Sequence, residues 1–152
     1  MPTFHVSDAV TRKIAGDRLG WGDGIARTLN AAFVRGYVEA MLWTNLLVKT
    51  ADGIDVASPK QGQDADVTGA TLRQARADCR SFLRHVRGAD SADLGALREL
   101  ASYENDDVAG MEYAGHCFAL SRNGHGAGFF DSDYGDHREL QRVAKSFGDC
   151  SW

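Results

Sequence analysis

No stretch of this sequence approaches the roughly 18 consecutive apolar residues that a membrane span requires, and the N-terminus, MPTFHVSDAVTRK, has no apolar run after a basic start. Neither export nor membrane insertion is expected, which places the chain in the cytoplasm. Cysteine is scarce. Cys79, Cys117 and Cys150 are an odd number without a CxxC pair, a usage that suits a reducing compartment better than a secreted disulfide framework. A tetrahedral zinc site needs His and Cys at short paired spacings, whereas the five histidines (His5, His85, His116, His125, His137) offer only the adjacent His116 and Cys117, so neither a metal nor a cofactor is expected. Basic charge is not in excess either: the formal net charge is -4, which argues against a globally basic nucleic-acid binder. Internal repeats and low-complexity tracts are absent.

What remains is the composition of one globular domain, with 152 residues and 43% hydrophobic content. Residues 1–23 carry scattered apolar positions and end in the run Gly20-Trp21-Gly22-Asp23-Gly24, so this segment is expected to be loosely ordered. From Ile25 the apolar positions Leu29, Ala32, Phe33, Tyr37, Ala40, Met41 and Leu46 recur at three and four residues and predict a long helix over 24–48. Residues 49–66 hold Asp52-Gly53, Ser58-Pro59 and Gly62 and read as a surface loop. A second helix over 69–87 follows on Leu72, Ala75, Cys79, Phe82 and Val86, capped by Asp66 or Thr68 and closed by Gly88. A third, over 91–103, lies on Leu94, Leu97, Leu100 and Tyr103. His116 to Arg122 then alternates Phe118 and Leu120 with Cys117, Ala119 and Ser121, followed by Asn123-Gly124 and by Ala127 to Asp131, which together predict a β-hairpin. A last helix spans 136–147. The expected architecture is α+β: three to four helices packed on a small antiparallel sheet built on the 116–131 hairpin.

The stretch from Ala114 to Asp131, AGHCFALSRNGHGAGFFD, resembles the AGHDFWLTRNGHGAGFWDR signature of a family of small bacteriophage-encoded proteins of unassigned function. Tyr37 to Thr44 (YVEAMLWT) and Asp78 to Phe82 (DCRSF) are similar to two further helical motifs of that family, so the resemblance covers roughly residues 30–148. This chain carries Cys117 where the family usually has Asp, and family members commonly continue into a further strand pair. The resemblance implies phage origin and action inside a bacterial host cell. It implies no reaction.

Three groups of residues carry the candidate chemistry. The loop from Arg122 to Gly128 combines a guanidinium, an imidazole and three glycines, and Arg122, Asn123, His125 and Asp131 are its candidate binding residues. Gly-rich phosphate loops lead into a helix, whereas this one is expected to lead into a strand, so the glycines read first as turn and close-approach positions. A thiol mechanism pairing Cys117 with His125 across the hairpin is the enzymatic alternative, weakened by the family's Asp at that position. Second, Arg73, Arg76, Arg80, Arg84 and Arg87 are spaced to share one helix face as a basic ridge. Third, Glu104, Asp106, Asp107 and Glu112 form an acidic patch, which is either a partner surface or the internal counterpart of the ridge.

Together with the lack of catalytic motifs, the phage-family resemblance implies a non-enzymatic phage accessory protein that binds a host protein or ribonucleoprotein, an inhibitor of a defence system such as CRISPR-Cas being the most concrete form. A nucleic-acid-binding accessory protein using the arginine ridge and a small enzyme using residues 117–131 are the alternatives.

Overall fold

The structure, a computed structural model, describes residues 14, 16–49, 55–57, 67–88, 106–124, 128–129 and 137–150. A 3-10 turn, Asp17–Leu19, precedes helix α1, Gly24–Leu46. Strands β1, Leu47–Lys49, and β2, Asp55–Ala57, form a short antiparallel ladder with Val48 opposite Val56. Helices α2, Gly69–Gly88, α3, Asp107–Arg122, and α4, Arg138–Lys145, follow. Three expected helices are present close to their expected bounds, 24–48 as α1, 69–87 as α2 and 136–147 as α4. The 91–103 helix falls outside the described residues.

The α+β architecture is overturned, because residues 116–122 are the C-terminal half of helix α3 and not the first strand of a hairpin. The described domain is built from helices, and its strand pairing is confined to the three-residue ladder at 47–49 and 55–57. Local chemistry explains α3. Asp106 has extended backbone, with φ −147 and ψ 117, and its carboxylate accepts from the backbone N–H of Val108 at 2.9 Å and of Ala109 at 3.5 Å, as a helix N-cap does. Asp107 places a negative charge in the first turn and Arg122 a positive one in the last, both favourable to the helix dipole. At the other end Gly124 has φ +71 and donates its N–H to the Ser121 carbonyl at 3.2 Å. Asn123-Gly124 thus ends a helix in the left-handed conformation instead of turning a hairpin.

The alternation of Phe118 and Leu120 with Ala119 and Ser121 misleads because all of residues 117–122 are buried. A helix enclosed on every side carries no amphipathic period, so its bulky residues mimic strand alternation by chance.

Among the described elements, helices α1 and α3 make the most extensive contact. They touch at backbone distance: a methyl group on Gly36 would strike the carbonyl of Glu112, and one on Gly115 would strike the Phe33 carbonyl and the Tyr37 amide. Around this crossing α1, α2, α3 and the residues just after α4 each contribute an aromatic ring to one core. Phe82 of α2 stacks on Phe118 of α3 with centroids 4.3 Å apart, Phe33 of α1 lies 5.7 Å from Phe82, and Phe147, just beyond α4, meets Phe118 edge-on at 5.3 Å. Fully burying such a ring contributes about 1.5–3 kcal/mol. Phe129 joins them at 5.8 Å from Phe82. Its N–H donates to Ser121 Oγ at 2.8 Å and its carbonyl accepts from His137 N at 2.8 Å, which fastens Phe129 to the core. Gly128 lies directly against Ser121, the close approach its lack of a side chain permits. The N-terminal segment also joins the core through Ile14 and Leu19, both buried.

Candidate functional site

Polar chemistry collects in two places, one inside the molecule and one outside. The interior cluster centres on Arg122 at the end of α3, whose side chain is 9% exposed. Its Nη1 donates to Asp78 Oδ2 at 2.8 Å and to the Tyr37 hydroxyl at 2.9 Å, and its Nε donates to the Gly148 carbonyl at 2.7 Å. The guanidinium also lies 5.9 Å from the centroid of Phe147. One side chain therefore ties α1, α2, α3 and the residues after α4, and only the forked donor geometry of arginine satisfies partners in so many directions. The second Asp78 oxygen accepts from Gln74 Nε2 at 2.8 Å.

The electrostatics of this cluster hold its protons in place. Burial alone would pull the Arg122 guanidinium down, but the hydrogen bond to Asp78 and the neighbouring Tyr37 outweigh it, so the group is an even firmer cation than usual. Burial pushes the Tyr37 hydroxyl well up, helped by Cys79, and burial likewise pushes the Cys79 thiol well above its ordinary range. The cluster is thus an ion-paired guanidinium beside a phenol and a thiol that both hold their protons. Its hydrogen bonds join α1, α2, α3 and the residues after α4.

The candidate loop residues divide accordingly. Arg122 and Asn123 both face inward, and Asn123 Oδ1 accepts from Cys150 N at 2.7 Å while its Nδ2 contacts Met41 Sδ at 3.2 Å. His125 and Asp131 lie outside the described residues. Cys117, the thiol of the enzymatic alternative, is buried within α3 and does not sit on a hairpin strand opposite His125. The acidic patch is dispersed: Asp106 caps α3, Asp107 is exposed in its first turn, and Glu112 accepts from Arg35 Nε at 3.2 Å across the α1–α3 crossing. Glu104 lies outside the described residues. Beside the Arg35 pair, and missed in the sequence, Glu39 Oε2 meets His116 Nε2 at 3.2 Å. The two pairs join residues four apart on each helix, a spacing legible only once both segments are read as helical.

The outer site is the arginine ridge of α2. Arg76 is diverted from it, donating from Nε to the Leu19 carbonyl at 3.2 Å and from Nη2 to the Gly20 carbonyl at 3.1 Å, which fastens the N-terminal turn to α2. Arg73, Arg80 and Arg84 are exposed on the side of the helix away from the buried Leu72, Ala75, Cys79, Phe82 and Val86, and among the described residues they form no ion pair. The side chain of Arg87 lies outside the described residues. Asp78 is the single acid of α2, and its carboxylate is committed inward to Arg122, so it does not neutralise the ridge.

Among the described residues no three His, Cys, Asp or Glu side chains converge as metal ligands, and no helix is long and apolar enough to cross a membrane. No family model, no curated protein and no solved structure matches the chain.

Proposed function

We propose that this chain is a non-enzymatic binding protein that engages an anionic macromolecule through the outer face of α2. The observation that supports this reading is the contrast in how charge is used. Arg122, Arg76 and Arg35 are each consumed by internal partners, whereas Arg73, Arg80 and Arg84 are held on a rigid helix, exposed and without a counter-charge among the described residues. Arginine presents a planar fork that matches phosphate and carboxylate alike. A host macromolecule as the partner, the role implied by the phage resemblance, enters this proposal on that resemblance and not on the geometry.

The test is retention on an immobilised sulfated polyanion at low salt. The parent protein is expected to bind, and the triple variant Arg73→Gln, Arg80→Gln, Arg84→Gln to elute at markedly lower salt with an unchanged melting temperature, because exposed charges contribute only about 0–1 kcal/mol each. Equal retention of parent and variant would remove the ridge from any functional account.

A further inference from the structure

We infer that the occupant of the α2 face is the sugar–phosphate backbone of double-stranded nucleic acid. The inference rests on the anionic-partner reading above and narrows it to one ligand.

The side chains between the arginines argue for this choice. Gly69, Ala70, Ala77 and Ser81 are exposed residues that share or flank the arginine face, and all are small, while Gln74, exposed at its edge, is turned to Asp78 Oδ1 at 2.8 Å. Between the arginines the face is therefore a bare helical surface, with guanidinium groups as its long projecting side chains. From Arg73 to Arg84 it extends about 16 Å at 1.5 Å per residue, which matches about five base-pair steps of a duplex. A protein partner calls for something else, since protein interfaces are anchored by aromatic or large aliphatic side chains. Among the described residues the one exposed large hydrophobic is Ile25, in the first turn of α1 and not on α2. Single-stranded nucleic acid also fits poorly, because its binding depends on aromatic platforms for the unstacked bases, and no Phe, Tyr or Trp of α2 is exposed. His85 is exposed but is one residue on from Arg84, about 100° around the helix from it. A duplex keeps its bases stacked and presents a dense, regular array of phosphates, which is what a row of arginines on a smooth helix can use.

Exposed acids sit on other elements, among them Asp23, Asp106 and Asp107, whereas Glu139 is paired with Arg142, and the formal net charge is -4. A polyanion is repelled from those regions and directed to α2.

The experiment is fluorescence anisotropy of the full chain with three probes: a mixed-sequence DNA duplex of about 20 base pairs, oligo-dT of the same length, and polyglutamate, each over about 25–200 mM salt. The duplex is expected to bind most tightly, with log affinity falling against log salt at a slope of about −2.7 for three phosphate contacts, or about 300-fold over that range. Each single Arg→Gln change at 73, 80 or 84 should reduce the slope by about 0.9, while Arg→Lys, which keeps the charge, should leave it nearly unchanged. Tighter binding of oligo-dT, or a slope that the Gln variants do not alter, overturns the inference. Binding to polyglutamate without binding to the duplex overturns it while leaving the anionic-partner reading in place, and binding to none of the three overturns both.

Discussion

Gly36 of α1 lies directly against the backbone carbonyl of Glu112 on α3, with no room between them for a β-carbon. Gly115, three residues further along α3, meets the Phe33 carbonyl and the Tyr37 amide in the same way. The crossing is therefore a contact between two backbones, and it brings Phe33, Tyr37 and Phe118 together, with Tyr37 and Phe118 centroids 5.1 Å apart.

A first prediction follows from that contact. Gly36→Ala and Gly115→Ala should each destabilise the protein by about 3 kcal/mol or more, because the obstacle is backbone and cannot rotate away. Gly124→Ala serves as the comparison: Gly124 has φ +71 but open space around it, so the cost is confined to the left-handed conformation, about 1 kcal/mol. Urea unfolding of the three variants checks the ranking. If Gly36→Ala costs no more than Gly124→Ala, the helices do not touch as described.

The Arg122–Asp78 pair should respond asymmetrically to single and double substitution. Removing one partner of a buried ion pair strands the other charge, and both Arg122→Met and Asp78→Leu are expected to lose about 3–5 kcal/mol. The double variant should lose less than the two single losses added together, since neither charge is then left alone. Arg122→Lys should not restore stability, because an ammonium cannot reach Asp78, Tyr37 and the Gly148 carbonyl at once. A double-mutant cycle by denaturant unfolding reads the coupling. Strict additivity would show that the pair is not formed.

Alkaline pH should destabilise the fold through two groups of the same cluster. Burial raises the folded-state pKa of Cys79 above its ordinary 9.0 and that of Tyr37 above its ordinary 10.0. As the pH rises past each ordinary value, the unfolded chain loses a proton that the folded chain keeps. The stability contributed by protonation is therefore complete below about pH 8 and declines in two stages above it. Free energies of unfolding between about pH 8 and 11 test this, and Cys79→Ala should abolish the first stage of the decline while leaving the second. An unaltered first stage in that variant would assign the alkaline loss to other groups.

Much of α1 and α2 was legible from spacing alone. Leu72, Ala75, Cys79, Phe82 and Val86 form one buried line with the arginines on the opposite side, so a 3.6-residue period survives in the sequence, and Thr68 caps the helix by accepting from Thr71 N at 3.1 Å. In α3 that period was hidden because its C-terminal half is enclosed on all sides, and Asn123-Gly124 is equally good chemistry for a hairpin turn and for a helix end. Signals for the helix were nevertheless present in Asp106 and Asp107 ahead of the run and in Arg122 at its close. Reading the segment as a strand also placed Arg122 and Asn123 on an exposed loop, when both in fact face the core.

The sequence by itself determined the helical character of 24–46 and 69–88, the burial of Cys79 and the co-location of Arg73, Arg80 and Arg84 on one face, because these depend on periodicity within a single segment. Tertiary structure alone decided which arginines are engaged by other elements among the described residues. Arg76, Arg80 and Arg122 have the same side chain, and they differ only in what the fold brings within reach: the Leu19 and Gly20 carbonyls for the first, solvent for the second, and Asp78, Tyr37 and Gly148 for the third. A buried guanidinium must be surrounded by acceptors from several elements to offset its desolvation, and which elements converge on it is a property of packing that no local pattern encodes.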